Sequence, residues 1–229
     1  MLKAILAIDQ GTTSTRAIAF SINGEKLYSS QLEFKQYFPK NGWVEHDPEE
    51  IWKTTLKVIK NIIKKCKKNN IKILTIGITN QRETTVMWDK TNGKPVYKAI
   101  VWQDRRTEIL CQKLKKKNLE NKIRKKTGLF IDSYFSATKI NWIINNIKKT
   151  KKLLKNKDLL FGTIDTFLIW RLTGGKVHAT DATNASRTML YNINDNKWDK
   201  EILRILKIPE NILPEVKNTA DDYGYTKKS

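Results

Sequence analysis

Ala4-Ile5-Leu6-Ala7-Ile8-Asp9-Gln10-Gly11-Thr12-Thr13-Ser14-Thr15-Arg16-Ala17-Ile18-Ala19-Phe20 opens the chain with two apolar runs around a polar octet. So short a connection between two strand-like runs predicts a β-hairpin. Gly11 offers torsions that other residues avoid, which would let consecutive amides converge. Thr12, Thr13 and Ser14 supply hydroxyl donors and Arg16 a cation, a set suited to phosphate oxygens. Asp9, at the end of the first run, can hold a magnesium ion through water. Phosphoryl transfer is therefore the first expectation, against the plainer reading of a threonine-rich turn.

Lys26 to Lys35 reads as a third strand. Asp47-Pro48-Glu49-Glu50 then carries a helix start: an aspartate cap, proline at the first helical position and acidic residues at the positive end of the dipole. Trp52, Thr55, Leu56, Ile59, Ile62, Ile63 and Cys66 recur at helical spacing up to about Lys68, with Lys53, Lys57, Lys60, Lys64 and Lys67 between them on a solvent face. Ile71 to Thr79 reads as a buried strand, and Thr84 to Trp88 and Ala99 to Trp102 as two more. Helical patterns run from Arg106 to Asn145, followed by a strand at Leu159 to Phe161, the segment Thr163 to Leu172 and a turn at Thr173-Gly174-Gly175. Strands mixed with helices and no linker predict an α/β architecture.

The 229 residues carry 44 Lys and Arg against 23 Asp and Glu, a net charge of +21. Such an excess suits nucleic acid, but arginine is scarce beside lysine, no aromatic residues interleave the basic runs and no nucleic-acid motif is present. The expectation is no nucleic-acid partner. No apolar segment approaches the roughly 20 residues of a membrane span, and the amino terminus does not read as a secretory signal, so a cytoplasmic location is expected. Cys66 and Cys111 form neither a metal pair nor a redox motif and are expected to be reduced thiols.

Asn80-Gln81-Arg82-Glu83-Thr84-Thr85 sets a guanidinium beside a carboxylate at the junction of two predicted strands. In a regular strand they point to opposite faces, so both reach one ligand only if the chain turns there. Such a pair suits a small polyol, the arginine donating to hydroxyl oxygens and the glutamate accepting hydroxyl protons. The alternative is a surface ion pair. Trp102 and Tyr134 lie at other strand or loop ends and can supply an aromatic wall and a hydrogen bond.

These blocks occur in one order with Gly42-Trp43-Val44-Glu45-His46-Asp47-Pro48, Trp102-Gln103-Asp104-Arg105-Arg106, Tyr134-Phe135-Ser136-Ala137-Thr138-Lys139, Phe161-Gly162-Thr163-Ile164-Asp165-Thr166 and Thr183-Asn184-Ala185-Ser186-Arg187-Thr188. In this the chain resembles the glycerol kinases, within the FGGY carbohydrate kinases, over essentially its whole length. The resemblance implies an actin-like ATPase (ribonuclease H-like) α/β domain, a mixed sheet flanked by helices, with residues 1–229 forming the amino-terminal domain of a two-domain kinase. It implies ATP-dependent phosphorylation of glycerol to sn-glycerol 3-phosphate with ATP and Mg as cofactors, and a homo-oligomer at full length. Carried over, Thr12, Thr13, Ser14 and Arg16 contact nucleotide phosphates, Asp9 positions magnesium, and Arg82, Glu83, Trp102 and Tyr134 hold glycerol. The family's general base and carboxyl-terminal domain are expected beyond Ser229, so little turnover is expected of this chain alone. His46 and His178 have no acid-base neighbour in sequence and are expected to be structural. The competing readings are another FGGY sugar kinase, of xylulokinase or gluconokinase type, and a non-catalytic remnant or nucleic-acid module.

Overall fold

A computed structural model describes residues 2–227. In chain order the elements begin with β1 (Leu2–Gln10), β2 (Ser14–Ser21), β3 (Lys26–Glu33), β4 (Gln36–Tyr37), β5 (Glu45–His46), α1 (Pro48–Lys68) and β6 (Ile71–Asn80). They continue with β7 (Val86–Asp89), β8 (Ala99–Ile100), α2 (Glu108–Lys116), α3 (Glu120–Thr127), α4 (Ser136–Asn146), α5 (Lys148–Asn156), β9 (Leu159–Gly162) and α6 (Ile164–Leu172). The last are β10 (Ala179–Asp181), α7 (Ala182–Ala185), β11 (Tyr191–Asn192), β12 (Lys197–Trp198), α8 (Lys200–Ile205) and β13 (Glu215–Lys217). The chain forms two compact units: the first runs to Gln36 and resumes over His46–Gln81, and the second joins Tyr37–Glu45 to the chain from Arg82 onward.

The first unit is a four-stranded sheet in the order β3-β2-β1-β6 with α1 packed on one face. Strand β1 pairs antiparallel with β2, with Asp9 opposite Arg16, and parallel with β6, with Asp9 opposite Thr79. Period-two alternation buries Ala4, Leu6, Ile8 and Gln10 of β1 and Thr15, Ala17 and Ala19 of β2, the face that meets Ile51, Thr55, Val58 and Ile62 of α1. Helix α1 starts as its sequence requires: Asp47 accepts from the Glu49 amide at 2.9 Å, and Pro48 follows at the first position. Its five intervening lysines are all exposed, so much of the basic excess in this segment lies in water. Cys66 is a buried free thiol here, and Cys111 is another in the second unit.

Strand β6 corrects one expectation. None of its residues is fully buried, because it sits at the sheet edge with β1 as its one neighbour, and Lys72, Leu74, Thr75, Gly77 and Thr79 are exposed. Its β-branched content reflects pleat preference rather than depth.

The second unit is built on a continuous apolar core that includes Met87, Ile100, Cys111, Ile123, Ile131, Ile140, Phe161 and Ile202. Strands β7 and β9 pair antiparallel, with Val86 opposite Gly162. The helical stretch expected from Arg106 to Asn145 is three helices. Gly128, at φ 72°, ends α3 in the left-handed conformation that glycine tolerates, and residues 129–135 run outside helix before α4 begins. Among the described residues no helix is long and apolar enough to cross a membrane.

Candidate active site

The β1–β2 connection places the phosphate-loop candidates at the end of a regular hairpin. The Gly11 amide donates to the Ser14 carbonyl at 2.9 Å, closing the turn. Beyond it, Ser14 Oγ accepts from Gln31 Nε2 at 2.9 Å while Arg16 Nε donates to Gln31 Oε1 at 2.9 Å, so one amide on β3 orients both side chains. Thr15 faces inward, its hydroxyl 3.2 Å from that of Thr54 on α1. Asp9, Thr13 and Arg16 are exposed and Thr12 and Ser14 half-buried, so the polar set stands at the strand ends open to solvent. Asp9 and Arg16 share one face of the sheet as a cross-strand pair.

Gly11 departs from expectation. It lies outside the left-handed region, and a Cβ built there would meet only the Ser14 carbonyl oxygen, at 3.4 Å. The turn therefore does not need glycine for its torsions, because the Gly11–Ser14 hydrogen bond closes it within ordinary backbone space.

In the second unit the chain does turn at the arginine-glutamate pair. Glu83 adopts φ 61°, a left-handed conformation that costs a non-glycine residue energy unless its surroundings fix it. The consequence is a split: Arg82 is exposed, whereas Glu83 is buried and its Oε1 accepts from Arg187 Nε at 2.6 Å. The pair is not the surface ion pair that its sequence also allowed. Three donors converge on the Glu83 carbonyl: Ser136 Oγ at 3.0 Å, Lys139 Nζ at 3.3 Å and Thr85 Oγ1 at 3.3 Å.

The aromatic candidates meet as well. Trp102 and Tyr134 are both half-buried, their ring centroids 5.5 Å apart at 55°. The Arg187 guanidinium lies 5.6 Å from the Tyr134 ring centroid and 5.1 Å from that of Phe135. Glu83 and Tyr134 thus share Arg187, and Tyr134 in turn stacks on Trp102. Arg187 carries this arrangement and no sequence signal assigned it a role, since it lies 104 residues from its carboxylate partner. Its one legible cue is its place in the Thr183–Thr188 block.

A second buried cluster supports the loop that bears Trp102. Arg106, its side chain fully buried, donates at 2.8 Å to both Glu45 and Asp104, and its guanidinium carbon lies 3.7 Å from the Trp43 ring centroid and 4.7 Å from that of Trp142. Asp104 also accepts from the Val44 amide at 2.6 Å. Two carboxylates and stacked indoles compensate a cation taken out of water. Arg105, by contrast, makes half-exposed pairs with Glu108 and Asp132.

Neither histidine is placed for proton transfer. His46 is fully buried against Gln81 and the Phe34 ring, and burial pushes its pKa down to about 4. His178 Nε2 sits 2.8 Å from the Phe161 carbonyl, and burial likewise brings it to about 4. Among the described residues no group of three or more His, Cys, Asp or Glu could hold a metal ion. A magnesium ion that arrives with phosphate ligands and keeps its waters fits the exposed Asp9 carboxylate.

Residues 4–229 match the amino-terminal domain model of the FGGY family of carbohydrate kinases. Similar curated proteins include a glycerol kinase of Thermoanaerobacter sp. (strain X514), 58% identical over 229 residues, which are 100% of this chain and 46% of that protein. Another is a glycerol kinase of Rhizobium meliloti (strain 1021), 59% identical over 225 residues, 98% of this chain and 45% of that protein. The chain spans about half the length of the curated relatives it matches. Among solved structures, Plasmodium falciparum glycerol kinase with ADP superposes with a TM-score of 0.94 at 40% identity, covering 99% of this chain and 45% of that one. Gluconate kinase from Lactobacillus acidophilus gives a TM-score of 0.84 at 28% identity over 95% of this chain and 42% of its own. The fold is the mixed α/β, actin-like ATPase fold of these kinases. With a family model covering nearly every residue, the chain belongs to the FGGY family of carbohydrate kinases, as its amino-terminal domain.

Proposed function

We propose that this chain carries the acceptor pocket and phosphate loop of an ATP-dependent glycerol kinase, which phosphorylates glycerol to sn-glycerol 3-phosphate. The observation that carries this reading is Glu83: buried at a left-handed turn, it has one carboxylate oxygen held by Arg187 beside the Tyr134 ring. That leaves Oε2 to accept protons from polyol hydroxyls, Arg82 to donate to hydroxyl oxygens and the Trp102 face to pack against a short carbon chain. Relatives named glycerol kinase at 58% and 59% identity over nearly all of the chain support glycerol as the acceptor.

Thr12, Thr13, Ser14 and Arg16 contact the nucleotide phosphates in this reading. Asp9 would hold, through water, the magnesium that accompanies them, which would neutralise charge on the transferred group. No covalent nucleophile is required, since phosphoryl transfer depends chiefly on placement and electrostatics. The proposed location is the cytoplasm, where ATP is available.

Thermal shift tests the acceptor assignment. A ligand at a hundred times its Kd stabilises by about 2.7 kcal/mol, so saturating glycerol should raise Tm by several degrees while xylulose and gluconate leave it near its starting value. A shift with a sugar ligand alone refutes glycerol.

A further inference from the structure

Lys139 is fully buried on the first turn of α4. Its Nζ donates to the Tyr134 carbonyl at 2.7 Å and to the Glu83 carbonyl at 3.3 Å, so one ammonium joins two segments that each carry a pocket residue. Burial pushes its pKa down to about 7, with Arg106 acting in the same direction, while Asp104, Glu83 and Asp132 oppose the shift. A lysine in a dry interior is a poor choice for stability alone, because an apolar side chain of similar length would fill the space without the cost of desolvating an amine. What an apolar side chain cannot do is donate to two carbonyls at once. Ser136, three residues earlier on the same first turn, donates to the same Glu83 carbonyl, so the start of α4 acts as a unit on the Glu83 backbone.

We propose that Lys139 is a positioning residue of the acceptor pocket, its ammonium fixing the distance between the Glu83 carboxylate and the Tyr134–Trp102 wall by tying their backbones together. The proposal rests on the reading of this pocket as the polyol site. Without the tie, Glu83 loses part of what holds its left-handed turn, and Tyr134 moves relative to Arg187 and Trp102.

The test compares Lys139→Met with Ile140→Val in the 229-residue chain, the latter thinning the same helix without touching either carbonyl. Calorimetric titration with glycerol should weaken on the order of tenfold in Lys139→Met, the scale of a lost charged hydrogen bond, and change less than about twofold in Ile140→Val. A ligand-free readout accompanies it: the Trp102 indole N–H resonance, assigned through Trp102→Phe, should shift in Lys139→Met and hold in Ile140→Val. An unmoved Trp102 resonance in folded Lys139→Met overturns the proposal. If the wild-type chain gives no glycerol titration, the polyol reading fails, and the resonance still decides whether Lys139 positions these groups. Should Lys139→Met not fold, Lys139→Gln keeps a polar side chain too short to reach both carbonyls. The Trp102 resonance should shift there too, and an unmoved resonance overturns the proposal.

Discussion

The two units solve the problem of placing polar groups in opposite ways. In the first, the candidate phosphate-loop residues lie within eight consecutive positions at the ends of paired strands, and one glutamine on the neighbouring strand orients two of them, Ser14 and Arg16. In the second, Glu83, Trp102, Tyr134 and Arg187 come from four separate segments, and buried charge holds their frame together through Arg106, Lys139 and the Glu83–Arg187 pair. On the proposed reading, the hairpin tip offers its groups to an anionic ligand by local geometry and can remain exposed, whereas a pocket for a small neutral polyol has to exclude water and so is assembled at long range.

The largest effect should fall on the second unit's buried charges. Arg106→Met leaves Glu45 and Asp104 uncompensated in the interior and should cost about 3–5 kcal/mol in urea unfolding. Arg105→Met, at the half-exposed pairs beside it, should cost less than about 1 kcal/mol. Equal losses would remove the distinction between buried and surface charge on which the comparison stands.

Next in size is the acceptor site itself. Glu83→Gln should weaken glycerol binding roughly 10- to 100-fold, since a hydrogen bond to a charged group contributes about 1.5–3 kcal/mol. ADP binding at the hairpin should stay within about twofold, and a parallel loss of both would tie the two sites more closely than proposed.

Acid should distinguish the histidines. His46 has its folded pKa near 4 and an unfolded value of 6.5, so as pH falls below 6.5 the unfolded chain takes up a proton that the folded chain refuses. Stability is therefore lost progressively from about pH 6.5 down to about pH 4. Between pH 7 and pH 5 the His46 loss amounts to about 2 kcal/mol. In the second unit His178 follows the same sign, but burial raises Asp165 to about 6, so folded Asp165 binds its proton before the unfolded chain does and regains stability as pH falls from about 6 to its ordinary 3.8. Urea melts at pH 7 and pH 5 should show a smaller acid loss in His46→Gln than in the wild type. An identical loss would mean that His46 is not held neutral.

The smallest effect should be at the hairpin. Ser14→Ala removes one hydroxyl from a half-buried hairpin position and should weaken ADP binding only a few-fold, about 0.5–1 kcal/mol. Gly11→Ala should leave Tm essentially unchanged, because its Cβ meets only the Ser14 carbonyl oxygen, at 3.4 Å.

What could be read from the sequence follows the same division. The hairpin, the Asp47-Pro48 cap and the lysine face of α1 are legible because each depends on residues within one or two turns of each other. The edge position of Ile71–Asn80 was not, since β-branched composition says that a strand fits a sheet and not whether it lies at the edge. Glycine at position 11 suggested special torsions that the turn does not use. The turn at Glu83 was legible as a condition, because adjacent residues cannot share a ligand without one. Arg187 and Lys139 were not, because 104 and 56 residues separate them from Glu83 and nothing local marks the pairing.

In the proposed pocket Glu83, oriented by Arg187 beside Tyr134 and Trp102, reads the hydroxyls of a three-carbon polyol. Calorimetric titration of glycerol into the chain and into its Glu83→Gln variant tests it most directly. The wild type should give a saturable one-site isotherm that is abolished or shifted at least about tenfold in the variant. Indistinguishable isotherms, or a wild-type response to gluconate and none to glycerol, would contradict it.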